Sequence, residues 1–259
     1  MKTMNVLPII STHFSLGRSI IVSDPPRGNL TQYPVSCFDL VIQNNLDTLV
    51  VVDNSISGFI VLNKNAIDAK IKLIYGLKLT LCQNMDDKSP ESLKTEAKFI
   101  IFIKNDKGYK DLIKISSKAC TDGFYYRPRL DFDKLKELWD EESLSLAVPF
   151  YDSFLHLNTL ESHLHVPNLS FAKPVFLTED NDLPFDFLIK RRIDEYTKAN
   201  GYEQVRSQSI FYPDAEDFIA YMTFRCINER TTLDKPNLSH LSSDTFSFNR
   251  FLKINDAKT

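Results

Sequence analysis

Apolar residues in this chain fall into short runs, and the runs alternate with segments of helical spacing. Leu49-Val50-Val51-Val52 has no polar interruption, which predicts a strand buried on both faces, as in a parallel sheet. The segment before it, 36–45, sets Phe38, Leu40, Val41 and Ile42 over one broad helical face behind Ser36, a good N-cap. Residues 56–68 read as a second helix, 70–82 as extended chain and 98–105 as another apolar strand. A helix is expected over 106–120, capped by Asp106, with Tyr109, Leu112, Ile113 and Ile115 as its stripe. A short helix starts at or near Asp131, and residues 144–150 and 173–180 hold apolar runs of strand length. Pro184 then opens a strong helix that Asn200-Gly201 stops. Residues 202–212 are extended. Pro213, Asp214, Glu216 and Asp217 open a further helix.

This repeated strand–helix alternation implies α/β architecture with a mainly parallel sheet. The most polar insertion, 83–98, reads as a surface loop or a short capped helix, and the tail from about 229 to 259 reads as irregular. No low-complexity linker divides the chain, so one domain over 1–259 is expected.

Composition removes several classes of function. With 259 residues, 43% hydrophobic and 25% charged, the chain can build a sizeable core, and a net charge of -3 gives no basic field for nucleic acid. Lys190-Arg191-Arg192 stands beside Asp194 and Glu195, a solvated helix face. Cys37, Cys82, Cys120 and Cys226 are too widely spaced for a zinc knuckle and read as reduced thiols of a cytoplasmic protein. Neither a signal peptide nor a bilayer-spanning apolar run is visible, so no membrane role is expected. With seven glycines and no glycine-loop motif, nucleotide cradling is disfavoured.

Other chemical-looking clusters have plain readings. His163-Leu164-His165 reads as part of a surface loop, and His156 as a satisfied, partly buried histidine. The acids at 214, 216 and 217 suit a helix's first turn. Phe124, Tyr125 and Tyr126 beside Arg127 and Arg129 read as packing, with stacking on single-stranded nucleic acid as the other option.

Four stretches together resemble one family. They are "THFSL", "DTLVVVDNSISGF", "FIIFIKNDKGYKDLIKISSKACTDGFYYRPRLDFDKL" and "VRSQSIFYPDAEDFIAYMTFRCI". In these the chain is similar to the polymerase-and-histidinol-phosphatase (PHP) domain of bacterial replicative DNA polymerases, the polymerase III alpha subunits. The resemblance runs from about Val6 to about Leu252. It implies a distorted seven-stranded (β/α) barrel with metal ligands at the C-terminal strand ends. Active members bind up to three divalent metals that hold a phosphate and activate water.

Position by position, the resemblance implies a damaged metal site. The opening His-x-His is Ser11-Thr12-His13, keeping one histidine. Arg18 stands where an aspartate is usual. The Thr-Asp-His-Gly motif reads Val52-Asp53-Asn54-Ser55, keeping the aspartate. Lys78 replaces a glutamate, Lys98 a histidine, Ser209-Ile210-Phe211 an Asp-x-His, and Tyr221 a further histidine. Only His13 and Asp53 match ligand positions, with His13 expected to hydrogen-bond Asp53. Cations and aromatic bulk at the other positions oppose metal binding.

The chain lacks a polymerase palm and so is not expected to polymerise nucleotides. No catalytic, metal or cofactor residues are assigned. The function expected is a catalytically degenerate PHP domain, free-standing or a piece of a split polymerase, that serves replication as a structural or docking module. Its partner would be a polymerase piece or a proofreading exonuclease, with DNA reached indirectly. A residual phosphoesterase or 3'-5' exonuclease using manganese or zinc is one alternative, and a fold recruited as a virion or host-interaction protein is another. The Lys- and Asn-rich, glycine-poor composition would suit a bacteriophage or AT-rich genome, and hence the host cytoplasm.

Overall fold

The computed structural model describes residues 5–31, 33–160, 165–234, 241 and 243–256. They gather into two compact units, the first drawn from residues 1–75, 179–186 and 206–259, the second from 76–178 and 187–205. Two of the strands below, β3 and β8, contribute residues to both units.

In the first unit β1 (Leu7–Ile10) lies between β2 (Thr48–Asp53) and β8 (Glu203–Ile210), parallel to both, with Ile10 opposite Val51 and Ile9 opposite Ser209. Every residue of β2 is buried, as its unbroken β-branched run predicts. Helix α1 (Cys37–Gln43) starts where expected, with Ser36 Oγ accepting from the Phe38 N–H at 3.2 Å. Helix α2 (Phe59–Ala69) follows β2.

In the second unit β3 (Lys72–Cys82) pairs with β4 (Ala97–Ile103), β4 with β6 (Leu144–Val148), and β6 with β7 (Val175–Thr178). Strand β4 is antiparallel to both its neighbours, while β1–β2, β1–β8, β3–β5 and β6–β7 are parallel, so the sheet is mainly parallel as expected. The link from β3 to β4 holds a 3-10 turn, Pro90–Thr95, and no α-helix, so the chain doubles back instead of crossing over. A three-residue strand, β5 (Arg129–Asp131), adds to β3 in parallel and was not expected; it is too short to leave a pattern. Arg129 is fully buried and donates to Ser92 Oγ (2.8 Å), Gly123 O (3.2 Å) and Glu96 Oε1 (3.3 Å), with its guanidinium 4.9 Å from the Tyr125 ring centre. Arg129, stacked on Tyr125, therefore ties the 83–98 insertion down, which is the packing option for these two residues, while Phe124, Tyr126 and Arg127 are exposed.

Helix α3 (Asp106–Thr121) corrects one expectation: its N-cap is Asn105, whose Oδ1 accepts from the Gly108 N–H at 3.0 Å. A cap needs extended backbone, which Asn105 has, whereas Asp106 is already helical. Helix α4 (Phe132–Leu138) starts at Asp131 as expected, and Asp131 Oδ1 caps it by accepting from the Lys134 N–H at 2.8 Å. Helices α5 (Phe154–Leu160), α6 (Asp186–Asn200) and α7 (Phe218–Glu229) follow. The tail is not wholly irregular, because Phe248–Asp256 form α8, with Phe248 and Phe251 buried. Its stripe is only two aromatics in a polar stretch, a weak periodic signal.

The hydrogen-bonded strand order is β2-β1-β8-β7-β6-β4-β3-β5, and a β2–β3 pairing closes seven strands into a ring with β5 attached outside it. This is the α/β barrel order that the resemblance implies. Among the described residues no helix is long and apolar enough to cross a membrane.

Candidate functional site

The C-terminal ends of β1, β2 and β8 stand side by side in the first unit, which brings the two retained ligand positions together. Asp53, the last residue of β2, is fully buried. Its Oδ1 accepts from the Thr12 N–H (2.8 Å) and Ser15 Oγ (2.7 Å), and its Oδ2 accepts from Thr12 Oγ1 (2.8 Å). Ser15 Oγ also accepts from the Asn54 N–H at 3.1 Å, and Ser11 Oγ donates to Val52 O at 3.0 Å. Burial pushes the Asp53 carboxyl above its ordinary value, against the pull of these hydrogen bonds and the His13 charge.

His13 does not hydrogen-bond Asp53, contrary to expectation. Its backbone N–H donates to Ile21 O (2.8 Å), its ring lies 4.3 Å from the Phe14 ring, and its Nδ1 is buried without a partner. The reason is local: the short Thr12 and Ser15 side chains already fill the carboxylate, and the imidazole turns onto Phe14. That packing needs Gly58, because a Cβ there would come within 2.4 Å of the Phe14 ring.

The other positions are occupied as follows. Ser209, on β8, gives its N–H (3.0 Å) and hydroxyl (2.6 Å) to the Glu179 carboxylate, which also accepts from Asn181 Nδ2 at 2.9 Å. Phe211 stacks on Tyr221, with centroids 5.5 Å apart and planes at 7°, and on Phe246 at 5.3 Å. The Arg18 N–H closes a turn onto Ser15 O at 2.8 Å. In the second unit Lys78 Nζ pairs with Asp152 Oδ2 at 3.1 Å, and Lys98 Nζ donates to Thr80 Oγ1 at 2.5 Å. His156 is buried, and its Nδ1 accepts from the Asp152 N–H at 2.9 Å. His163 and Leu164 lie outside the described residues, and His165 is exposed, 6.5 Å from the Phe132 ring. Asp217 accepts from the Asp214 N–H (3.1 Å), the helix-start role expected of that acid cluster.

Sequence reasoning missed Glu179 and the polar network behind it. Asn181 Oδ1 accepts from Gln208 Nε2 (2.7 Å), which also reaches Thr245 O (3.2 Å). The only local signal is that Glu179 ends the apolar run of β7. Its partners at 208, 209 and 245 are remote in sequence, so no spacing links them.

A divalent metal needs several oxygens or imidazoles with lone pairs free to face it. At the ends of β1, β2 and β8 the buried carboxylates of Asp53 and Glu179 are each engaged by protein donors, and His13 Nδ1 is the buried nitrogen left without a hydrogen bond. These residues do not fit a metal cluster. Among the described residues no group of three or more His, Cys, Asp or Glu side chains is placed to hold a metal ion.

Comparison with known proteins gives the same lineage. The PHP domain model matches residues 34–164, about half the chain. The DNA polymerase III subunit alpha of Borreliella burgdorferi is 33% identical over 217 residues, covering 79% of this chain and 18% of that protein. The subunit alpha of Aquifex aeolicus is 28% identical over 154 residues (57% and 13%), and that of Thermus aquaticus 25% over 152 residues (56% and 12%). The chain thus spans less than a fifth of these relatives' length. With the barrel strand order, the β1–β2 mouth and this half-chain match in hand, the chain belongs to the PHP domain family.

Proposed function

We propose that this chain is a catalytically degenerate PHP domain that works as a structural or docking module of a replicative DNA polymerase of the polymerase III alpha type. The observation that carries the reading is the commitment of Asp53. All three of its hydrogen bonds hold the turn after β1, so the retained aspartate fastens the fold instead of facing a ligand. Paired Lys78 and the Phe211–Tyr221 stack support it from the remaining positions. The polymerase context rests on the subunit alpha relatives. A cytoplasmic place of work and a phage or AT-rich source belong to the same reading, the second supported only by composition.

One observation favours a second reading, a residual metal-dependent phosphoesterase or 3'-5' exonuclease: the unpartnered Nδ1 of His13 beside buried Asp53. Elemental analysis of the purified protein, with phosphodiesterase assays in manganese and zinc, separates the two. The docking reading expects substoichiometric metal and no activity above a heat-treated control. Stoichiometric metal that is lost in His13→Ala would replace it with the enzyme reading.

A further inference from the structure

Helix α7 inverts the usual distribution of polarity. Its inward side holds Arg225, 1% exposed, whose guanidinium donates to Glu229 Oε1 (2.7 Å) and to Tyr221 Oη (3.4 Å). Its outward side carries Ile219, 68% exposed, Ile227, 70% exposed, and the partly exposed ring of Phe224, with Ala220 and Thr223 among them. Ile219, Thr223 and Ile227 follow i, i+4, i+8 spacing, and Ala220 and Phe224 lie one step round the helix. No charged residue stands on this side between Asp217 and Glu229. A helix facing water ordinarily turns its charges outward, as α3 does with Lys107, Lys110 and Lys114.

The apolar side extends past both ends of the helix. At its start the exposed Tyr33 is fixed by its hydroxyl, which donates to Asp217 Oδ1 at 2.8 Å. Near its end the Gly17 α-carbon lies against Asn228, where a Cβ would come within 2.3 Å of the side chain, and the φ of +69° also favours glycine. That contact sets the neighbouring Leu16, 77% exposed, beside the last turn of α7.

An uncharged face with large aliphatic side chains suits a polypeptide. Nucleic acid would call for cations around it, and so would a lipid surface. The relatives carry this region as less than a fifth of a much longer single chain, so in them the domain is joined to a large body of further polypeptide. Resting on the polymerase association proposed above, we infer that the outward face of α7, flanked by Leu16 and Tyr33, docks onto the polymerase polypeptide that lies outside this region in the subunit alpha relatives.

The test is biolayer interferometry of the purified chain against the polymerase III alpha-type protein of the same organism. Ile227→Glu and, as an independent second variant off the helix, Leu16→Asp should each weaken binding about thirtyfold, the size of an interface hot spot. Phe187→Glu, at an exposed site on α6 in the other unit, should bind as the wild type does. Circular dichroism melts should be unchanged in all three. Wild-type binding that both face variants retain would overturn the assignment to α7 and leave the polymerase association standing. No binding by the wild type would overturn both. A wild-type dimer in light scattering that Ile227→Glu makes monomeric would give the face to a second copy of this chain and overturn the assignment.

Discussion

Asp53 holds the turn after β1 through its hydrogen bonds to Thr12 and Ser15. Truncation to alanine leaves two hydroxyls and one N–H without their acceptor in a buried place, so Asp53→Ala should cost roughly 3 kcal/mol in urea unfolding. Asp53→Asn keeps the acceptor for the Thr12 N–H and Ser15, and the rotating Thr12 hydroxyl can turn to accept from the new amide. That variant should fold normally. The pH dependence has a definite sign. The folded carboxyl binds its proton more tightly than an unfolded one, whose ordinary value is 3.8. Stability relative to the asparagine variant is therefore greatest below that value and is lost as pH rises through the higher folded value. Urea midpoints of the two proteins across acid to neutral pH should converge or cross in that direction, and a wild-type advantage that grows with pH would contradict the assignment. Sequence comparison located Asp53 and His13 at one strand mouth. It did not foresee the bond pattern, because Thr12 and Ser15 compete for the carboxylate through side-chain reach, which residue identity alone leaves open.

At the scale of elements, caps and stripes were readable wherever a local pattern existed, and misread by one residue where two caps stood together. Asn105 and Asp106 are both good capping residues, and the choice between them is made by the backbone turn leaving β4. Asn105→Ala should cost about 1 kcal/mol in chemical denaturation, the usual loss for a cap, while Asp106→Ala should cost only a few tenths through the helix dipole. Equal costs, or the reverse order, would restore Asp106 as the cap. α8 and β5 escaped notice for a different reason. α8 buries Phe248 and Phe251 behind a polar surround, and β5 is three residues long, so neither fills a periodic window.

At the scale of the whole molecule, alternation of strands and helices identified α/β architecture, the barrel was what the resemblance implied, and strand order came only from the structure. Nothing in residues 7–10 announces that they pair with 207–210, nearly the full chain away, because such pairings are chosen by packing of the assembled sheet. The ligand positions obey the same logic. They are scattered in sequence, and Asp53 and the turn that carries His13 meet only when β1 and β2 pair. If the strand ends are held by the Asp53 and Glu179 hydrogen bonds without a metal, metal should be irrelevant to stability. A ligand that binds the native state at a hundred times its Kd stabilises by about 2.7 kcal/mol, and for a chain of this size each kcal/mol moves Tm by about 2–4 °C. Manganese or zinc bound at that level would raise Tm by about 5–10 °C, with chelator lowering it again. Differential scanning calorimetry with EDTA, and then with excess manganese or zinc, should instead give superimposable transitions. A metal-dependent rise of that size, lost in His13→Ala, would mean that the imidazole left over beside Asp53 still gathers a working coordination sphere.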